Sequence, residues 1–311
     1  MATLALFGAT GAIGRSMVDA LRVDGTPYRV VGRSRSALEG AFGTDALAEI
    51  ATWNPEDEAS IKEAAAGIDT IVYAVGVPYW EFRLHPILMK KTIDAAIAVG
   101  VAHILLIGTV YPYGRPRAER VREDHPREPH TFKGKMRKEQ EDLLLAADAA
   151  GRLRGAVLRL PDFYGPNVDK SLMGSAFRAA KEGGRAPLLG PIDTPHEFVF
   201  VPDVGPVVTK LVREPRAWGS VWHFGGLGVI TIRAFAEEIF AQAGRQPKLF
   251  VVNNWMLRVA GVFNPMMREL VEMNYLLKTP VIMNDDRLRD LLPGVHKTAY
   301  SAGITATLGA M

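Results

Sequence analysis

Three glycines near the start of the chain carry the first legible chemistry. They stand in the run Gly8-Ala9-Thr10-Gly11-Ala12-Ile13-Gly14, between an apolar stretch and an amphipathic one. In a strand–loop–helix setting the first glycine allows a tight turn. The second lets the backbone approach a pyrophosphate, and the third lets helix and strand pack closely. The helix that follows offers unpaired N–H groups and the positive end of its dipole to phosphate oxygens. The spacing predicts a dinucleotide site at Gly8, Thr10, Gly11, Ala12, Ile13 and Gly14. Arg33 and Ser34 follow the second apolar run, where a carboxylate would bind the ribose 2′-hydroxyl of NAD. A guanidinium there suits a 2′-phosphate in charge and in bidentate geometry. The expected cofactor is therefore NADP rather than NAD. The plainer alternative is that Arg33 and Arg35 are ordinary surface charges.

Other chemistries find no support. The chain has no cysteine, which excludes disulfides, thiolate metal sites, iron–sulfur clusters and a cysteine nucleophile. Its seven histidines show neither HxH nor HExxH spacing, so no metal is expected. No GxSxG elbow occurs, which leaves serine hydrolase chemistry without a nucleophile motif. With 311 residues, 48% hydrophobic and 23% charged, the chain has the apolar content to fold. A net charge of +3 with acids interspersed gives no reason to expect a nucleic-acid partner. No stretch reaches the ~18 apolar residues of a membrane span, and the apolar start lacks a basic n-region. The expectation is a cytoplasmic protein beginning at Met1, with no membrane partner.

These residues need elements to hold them. Short apolar runs predict strands at 4–7, 28–31, 70–75, 103–107, 155–160 and 220–224. Amphipathic runs predict helices at 13–23, 57–66, 86–99, 132–150 and 231–244, the last with Thr231 as N-cap. Strands alternating with helices imply right-handed crossovers, hence an α/β fold with a doubly wound parallel sheet. After residue 160 the alternation loosens, which predicts a smaller C-terminal substrate-binding lobe. The division read from the sequence is a cofactor domain of 1–165 plus 195–228, and a lobe of 166–194 plus 229–311.

With these motifs in order, the sequence resembles the extended short-chain dehydrogenase/reductase family, the NAD(P)-dependent epimerase/dehydratase group, whose cofactor domain is a Rossmann fold. Gly8–Gly14 resembles its TGxxGxxG loop, and Tyr73-Ala74-Val75-Gly76 the segment lying along the cofactor. Gly108-Thr109-Val110-Tyr111-Pro112-Tyr113-Gly114 is similar to "SSxxVYG". Arg159-Leu160-Pro161-Asp162-Phe163-Tyr164-Gly165-Pro166 is similar to "RPxNVYGP", and His196-Glu197-Phe198-Val199-Phe200-Val201-Pro202-Asp203-Val204 to "RDFVHVDDV". Trp222-His223-Phe224-Gly225-Gly226, then Thr231-Ile232-Arg233, resembles "YNVGGG…TVRE". The resemblance implies Ala74, Val75, Gly76, Pro161 and Phe163 at the cofactor, and Tyr164 and His196 at the substrate. Thr109 takes the place of the catalytic Ser/Thr that orients the substrate oxygen. It implies an oxidoreductase or epimerase/dehydratase that passes hydride between a nicotinamide and a carbonyl or alcohol carbon of a small molecule. A catalytically inactive NADP-binding sensor is the alternative.

The alternative arises from a departure. In this family a Tyr moves the proton, and a Lys four residues on lowers its pKa and holds the nicotinamide ribose. Here Glu141-Asp142-Leu143-Leu144 aligned with "EELL" puts Lys133 on the Tyr position and Arg137 on the Lys position; a slip of two gives Thr131 and Lys135. Lys133 is expected as proton donor or cofactor contact, or plainly as an exposed helix lysine, with Tyr111, Tyr113 or Tyr164 as loop alternatives and aromatic packing as the plainer role of each. Arg137 is free to pair with Glu141 one turn on. His196 replaces an Arg that often holds a sugar-nucleotide diphosphate, and a neutral imidazole makes no bidentate phosphate contact. The Met- and aromatic-rich 253–283 stretch either covers a partly apolar substrate or forms ordinary core. The resemblance also implies a homodimer through helices 86–99 and 132–150. Leu143, Leu144 and Ala147 either form that face or pack on the sheet.

Overall fold

The computed structural model describes residues 3–168 and 171–311; Met1, the expected start, lies outside the described residues. The first half runs β1 (Leu4–Phe7), α1 (Ala12–Val23), β2 (Tyr28–Gly32), α2 (Arg35–Phe42), β3 (Ala48–Thr52), α3 (Glu58–Ala65), β4 (Thr70–Tyr73), α4 (Leu84–Ala98), β5 (His103–Thr109), α5 (Phe132–Ala149) and β6 (Arg154–Leu160). There follow β7 (Asp162–Tyr164), α6 (Gly174–Glu182), β8 (Ala186–Leu189), β9 (Pro195–His196), β10 (Phe198–Phe200), α7 (Val201–Leu211), β11 (Val221–His223) and β12 (Ile230–Thr231). The chain closes with α8 (Ile232–Gln242), β13 (Leu249–Val252), α9 (Asn254–Ala260), α10 (Pro265–Met273), α11 (Tyr275–Lys278), α12 (Asp286–Leu291) and α13 (Tyr300–Gly309).

Seven strands form one sheet in the order β11-β6-β5-β4-β1-β2-β3, every pair parallel. Parallel neighbours need crossovers, and the helices cover both faces. On one face α1 and α7 bury Met17, Val18, Leu21, Val204, Val207 and Leu211. They cross so closely that a Cβ on Gly205 would stand 2.1 Å from the Ser16 carbonyl oxygen. On the other face α3, α4 and α5 bury Ile61, Ala64, Met89, Ile93, Leu144 and Ala147. Each buried Leu, Ile, Val or Met among them contributes roughly 1.5–3 kcal/mol. Leu144 and Ala147 therefore pack on the sheet and present no outer face to a second copy.

The strands 28–31, 103–107, 155–160 and 220–224 emerge within two residues of expectation, and Thr231 caps α8 by accepting the Ala234 N–H. The strand expected over 70–75 ends at Tyr73. Beyond residue 160, α6, α7, β7 to β10, β12 and β13 went unpredicted, and before it α2 and the edge strand β3, whose Ala-Glu-Ile-Ala-Thr sequence is largely half-buried. A third core lies away from the sheet, where α6, α8 and α13 gather Phe177, Phe235, Ile239 and Ile304 beside the parallel β8–β13 pair. Leu288, Leu291 and Leu292, from the α12 region, return to the sheet and join the α1–α7 face. Among the described residues no helix is long and apolar enough to cross a membrane.

Candidate active site

The glycine loop has the geometry its spacing predicts. Gly8 sits at φ +90°, and a Cβ there would lie 2.6 Å from the Ala74 carbonyl oxygen. A Cβ on Gly14 would lie 2.5 Å from the Ala9 carbonyl oxygen, so α1 can press against the loop only as glycine. Gly11 is the N-cap of α1, with no side-chain cap and no acidic residue in the first turn. Thr10 is exposed, and Ala12 and Ile13 are half-buried at the start of that helix. Bare N–H groups at a helix N-terminus without a competing carboxylate fit a pyrophosphate. The half-buried Ala74 and Val75 and the exposed Gly76 leave β4 beside the loop.

Arg33 follows β2 and is exposed; among the described residues no carboxylate pairs with it. Arg35, by contrast, lies 3.2 Å from Glu39. Ser34 caps α2 by accepting the Ala37 N–H.

At the C-terminal ends of β5 and β6 a cleft opens, lined by Thr109, Tyr111, Pro161, Asp162, Phe163, His196 and Glu197, with Leu276 and Val281 from the last part of the chain. Thr109 Oγ1 accepts the Tyr111 N–H at 3.3 Å. The Tyr111 hydroxyl is 2.9 Å from that of Tyr79. Burial pushes both phenols up, that of Tyr111 well above its ordinary value, so both keep their protons at neutral pH.

Parallel pairing of β7 with β10 aligns Asp162 with Phe198, which puts the Asp162 carboxylate 2.7 Å from His196 Nε2. His196 Nδ1 is buried without a partner among the described residues. Glu197 accepts the Met283 N–H at 3.0 Å, and burial raises its carboxyl to about 7. Asp162, Glu197 and Tyr79 were not singled out from the sequence. Asp162 and Glu197 stand inside the quoted motifs but acquire meaning only when β7 and β10 pair.

Three expected site residues lie elsewhere. Lys133 is fully buried and its Nζ donates to both Glu269 and Glu272, the latter at 2.7 Å. Its backbone N–H also donates to Glu272, at 3.0 Å. Its ion pairs go to α10, its ammonium lies beside the rings of Tyr79 and Phe82, and it is not among the residues lining the cleft. Tyr113 is fully buried, its hydroxyl 2.5 Å from His223 Nε2 and its ring under the Arg159 guanidinium. Tyr164 is fully buried in the third core against Phe200 and Phe235.

Arg137, on the family's Lys position, donates to the Ile107 carbonyl oxygen at 3.0 Å and lies 3.2 Å from His85 Nδ1. Burial, and then the Arg137 charge, push His85 down to about 2. The expected Arg137–Glu141 pair does not form, because Glu141 accepts from Arg159 at 3.0 Å and Arg127 at 3.2 Å. Among the described residues no group of His, Asp or Glu is placed to hold a metal.

A profile of the NAD dependent epimerase/dehydratase family matches residues 4–224. The dTDP-6-deoxy-L-talose 4-dehydrogenase (NAD(P)(+)) of Kitasatospora kifunensis is 28% identical over 258 residues, covering 78% of this chain and 80% of that protein. The fold is similar to that of dTDP-glucose 4,6-dehydratase from Bacillus anthracis in complex with NAD, at TM-score 0.82 and 15% identity over 100% of this chain and 96% of the other. UDP-N-acetylglucosamine 4-epimerase from Bacillus cereus gives TM-score 0.80 at 17% identity, with 100% and 96% covered.

Proposed function

Because the chain belongs to the NAD dependent epimerase/dehydratase family, we propose that it is an NADP-dependent oxidoreductase or epimerase acting on a carbonyl or alcohol carbon of a small molecule, with Tyr111 as its proton carrier. The observation that carries this reading is the meeting of Thr109 and Tyr111 in one cleft, with the Tyr79 hydroxyl 2.9 Å from that of Tyr111, while Lys133 is committed to two glutamates. The glycine loop and the start of α1 hold the pyrophosphate, and Arg33 the 2′-phosphate. When bound, the cofactor supplies the two-electron redox chemistry.

The chain supplies position and protons. Thr109 orients the substrate oxygen. Tyr111 gives that oxygen a proton as the carbon is reduced and recovers it when the alcohol is oxidised. Tyr79, within hydrogen-bond distance, donates to the oxygen of Tyr111 and stabilises it while it carries charge. The lobe of 166–194 and 229–311 closes the substrate side, and a homodimer through the outer surfaces of α4 and α5 fits this architecture.

The test is NADPH and NADH titration by fluorescence, followed by turnover on a carbonyl panel with wild type, Thr109→Ala and Tyr111→Phe. Preferential NADPH binding, with turnover that both variants depress, is expected. NADPH binding without turnover on any carbonyl would replace the enzyme by the inactive sensor.

A further inference from the structure

Resting on that reading, we propose that the cleft takes an uncharged hydroxyketone or diol with a hydrocarbon body, in preference to a nucleoside diphosphate sugar. Among the described residues that line it, none is a lysine or an arginine, and Asp162 and Glu197 both reach it. A diphosphate brought beside the Asp162 carboxylate meets like charge, and no lysine or arginine in the lining offsets it.

The buried cations of α5 and β6 are engaged. Lys133 is bound to Glu269 and Glu272, Arg137 to the Ile107 carbonyl and His85, and Arg159 to Glu141. To reach a phosphate, each would have to leave a buried partner, which strands charge or donors in the interior.

Beyond Tyr111, the cleft continues into a wall of Leu172, Leu189, Leu270, Met273 and Leu277. Such a wall gains by covering hydrocarbon, and the Asn274 amide beside it donates to the Gly190 carbonyl oxygen at 2.8 Å. The polar end calls for a hydroxyl. Asp162 receives His196 on one oxygen, and its half-exposed carboxylate leaves the other to accept from the substrate. The reacting oxygen at Thr109 and Tyr111, the second hydroxyl at Asp162 and the apolar body along Leu270 and Met273 define one ligand with two neighbouring oxygens on a hydrocarbon body.

Calorimetric titration of the NADP-saturated protein with butyroin, an uncharged eight-carbon hydroxyketone, and with dTDP-glucose tests this. Butyroin is expected to bind at least tenfold tighter than dTDP-glucose. Met273→Asp and Leu270→Asp, each checked for folding by retained NADPH binding, are expected to weaken butyroin at least tenfold. Asp162→Asn is expected to strengthen dTDP-glucose. Tighter binding of dTDP-glucose in wild type, no butyroin binding, or butyroin binding indifferent to both Asp variants overturns the substrate class and leaves the cofactor reading standing. Failure of wild type to bind NADPH overturns the cofactor reading itself, and the proposal with it.

Discussion

Lys133 Nζ lies 2.7 Å from a carboxylate oxygen of Glu272, a residue 139 positions further along the chain. The first turn of α5, where the family resemblance calls for a proton-donating tyrosine, is thereby a docking point for α10. Glu269 reaches the same ammonium, and the rings of Tyr79 and Phe82 lie 5.8 and 5.7 Å from it. A fully buried ammonium is tolerable only when its charge and donors are met in this way.

Lys133→Met should destabilise the fold by about 3 kcal/mol, because two carboxylates lose their shared cation. Turnover per folded molecule should stay within a few-fold of wild type. Denaturant unfolding and kinetics on the same preparation check both. Unchanged stability with abolished turnover would restore Lys133 as the proton donor.

Tyr111→Phe should leave NADPH binding intact and lower kcat by roughly 10²–10⁴, the range for loss of a general acid–base group. Tyr79→Phe should lower it less, since it removes one hydrogen bond to the acid rather than the acid. Single-turnover kinetics separates the chemical step from product release.

The sheet was legible because its strands are short apolar runs between turn residues, and the glycine loop because no other residue fits its backbone. β3 escaped because an edge strand reading Ala-Glu-Ile-Ala-Thr has little hydrophobic contrast, and α2 because eight residues carry little periodic signal. The cleft was legible only at Thr109, Tyr111, Pro161, Phe163 and His196. What Lys133 does depends on Glu269 and Glu272, and what His196 does depends on Asp162. Those partners are distant in sequence, and no local pattern announces them.

Arg33→Ala should weaken NADPH binding tenfold or more and leave NADH binding within about twofold. A lost charge-assisted hydrogen bond costs roughly 1.5–3 kcal/mol, and only NADPH carries the 2′-phosphate. Raising the salt concentration should weaken the wild-type preference, since Arg33 is exposed. Equal loss for both cofactors in a fluorescence titration would return Arg33 to the role of a surface charge.

Glu197 gives stability a pH dependence of defined sign. Burial raises its carboxyl from an ordinary 4.5 to about 7, opposed by the Met283 N–H and the Lys297 charge. Below pH 4.5 the carboxyl is protonated in both folded and unfolded chains, and its contribution to stability is fully present. As pH rises towards 7 the unfolded chain releases the proton while the folded chain retains it, so that contribution is lost, on the order of 3 kcal/mol. His85 and His223, held neutral by burial and pushed down to about 2 and 3, act oppositely: their contribution is present above about pH 6.5 and lost as pH falls. In wild type the two slopes oppose each other between pH 4.5 and 6.5. Glu197→Gln keeps an acceptor for the Met283 N–H and removes the titration. Its Tm relative to wild type should therefore rise from pH 4.5 to 7.5, and its own acid-side loss should be steeper. Thermal melts of both proteins across that range read the difference directly, and parallel curves would show that the Glu197 carboxyl titrates alike in the folded and unfolded chains.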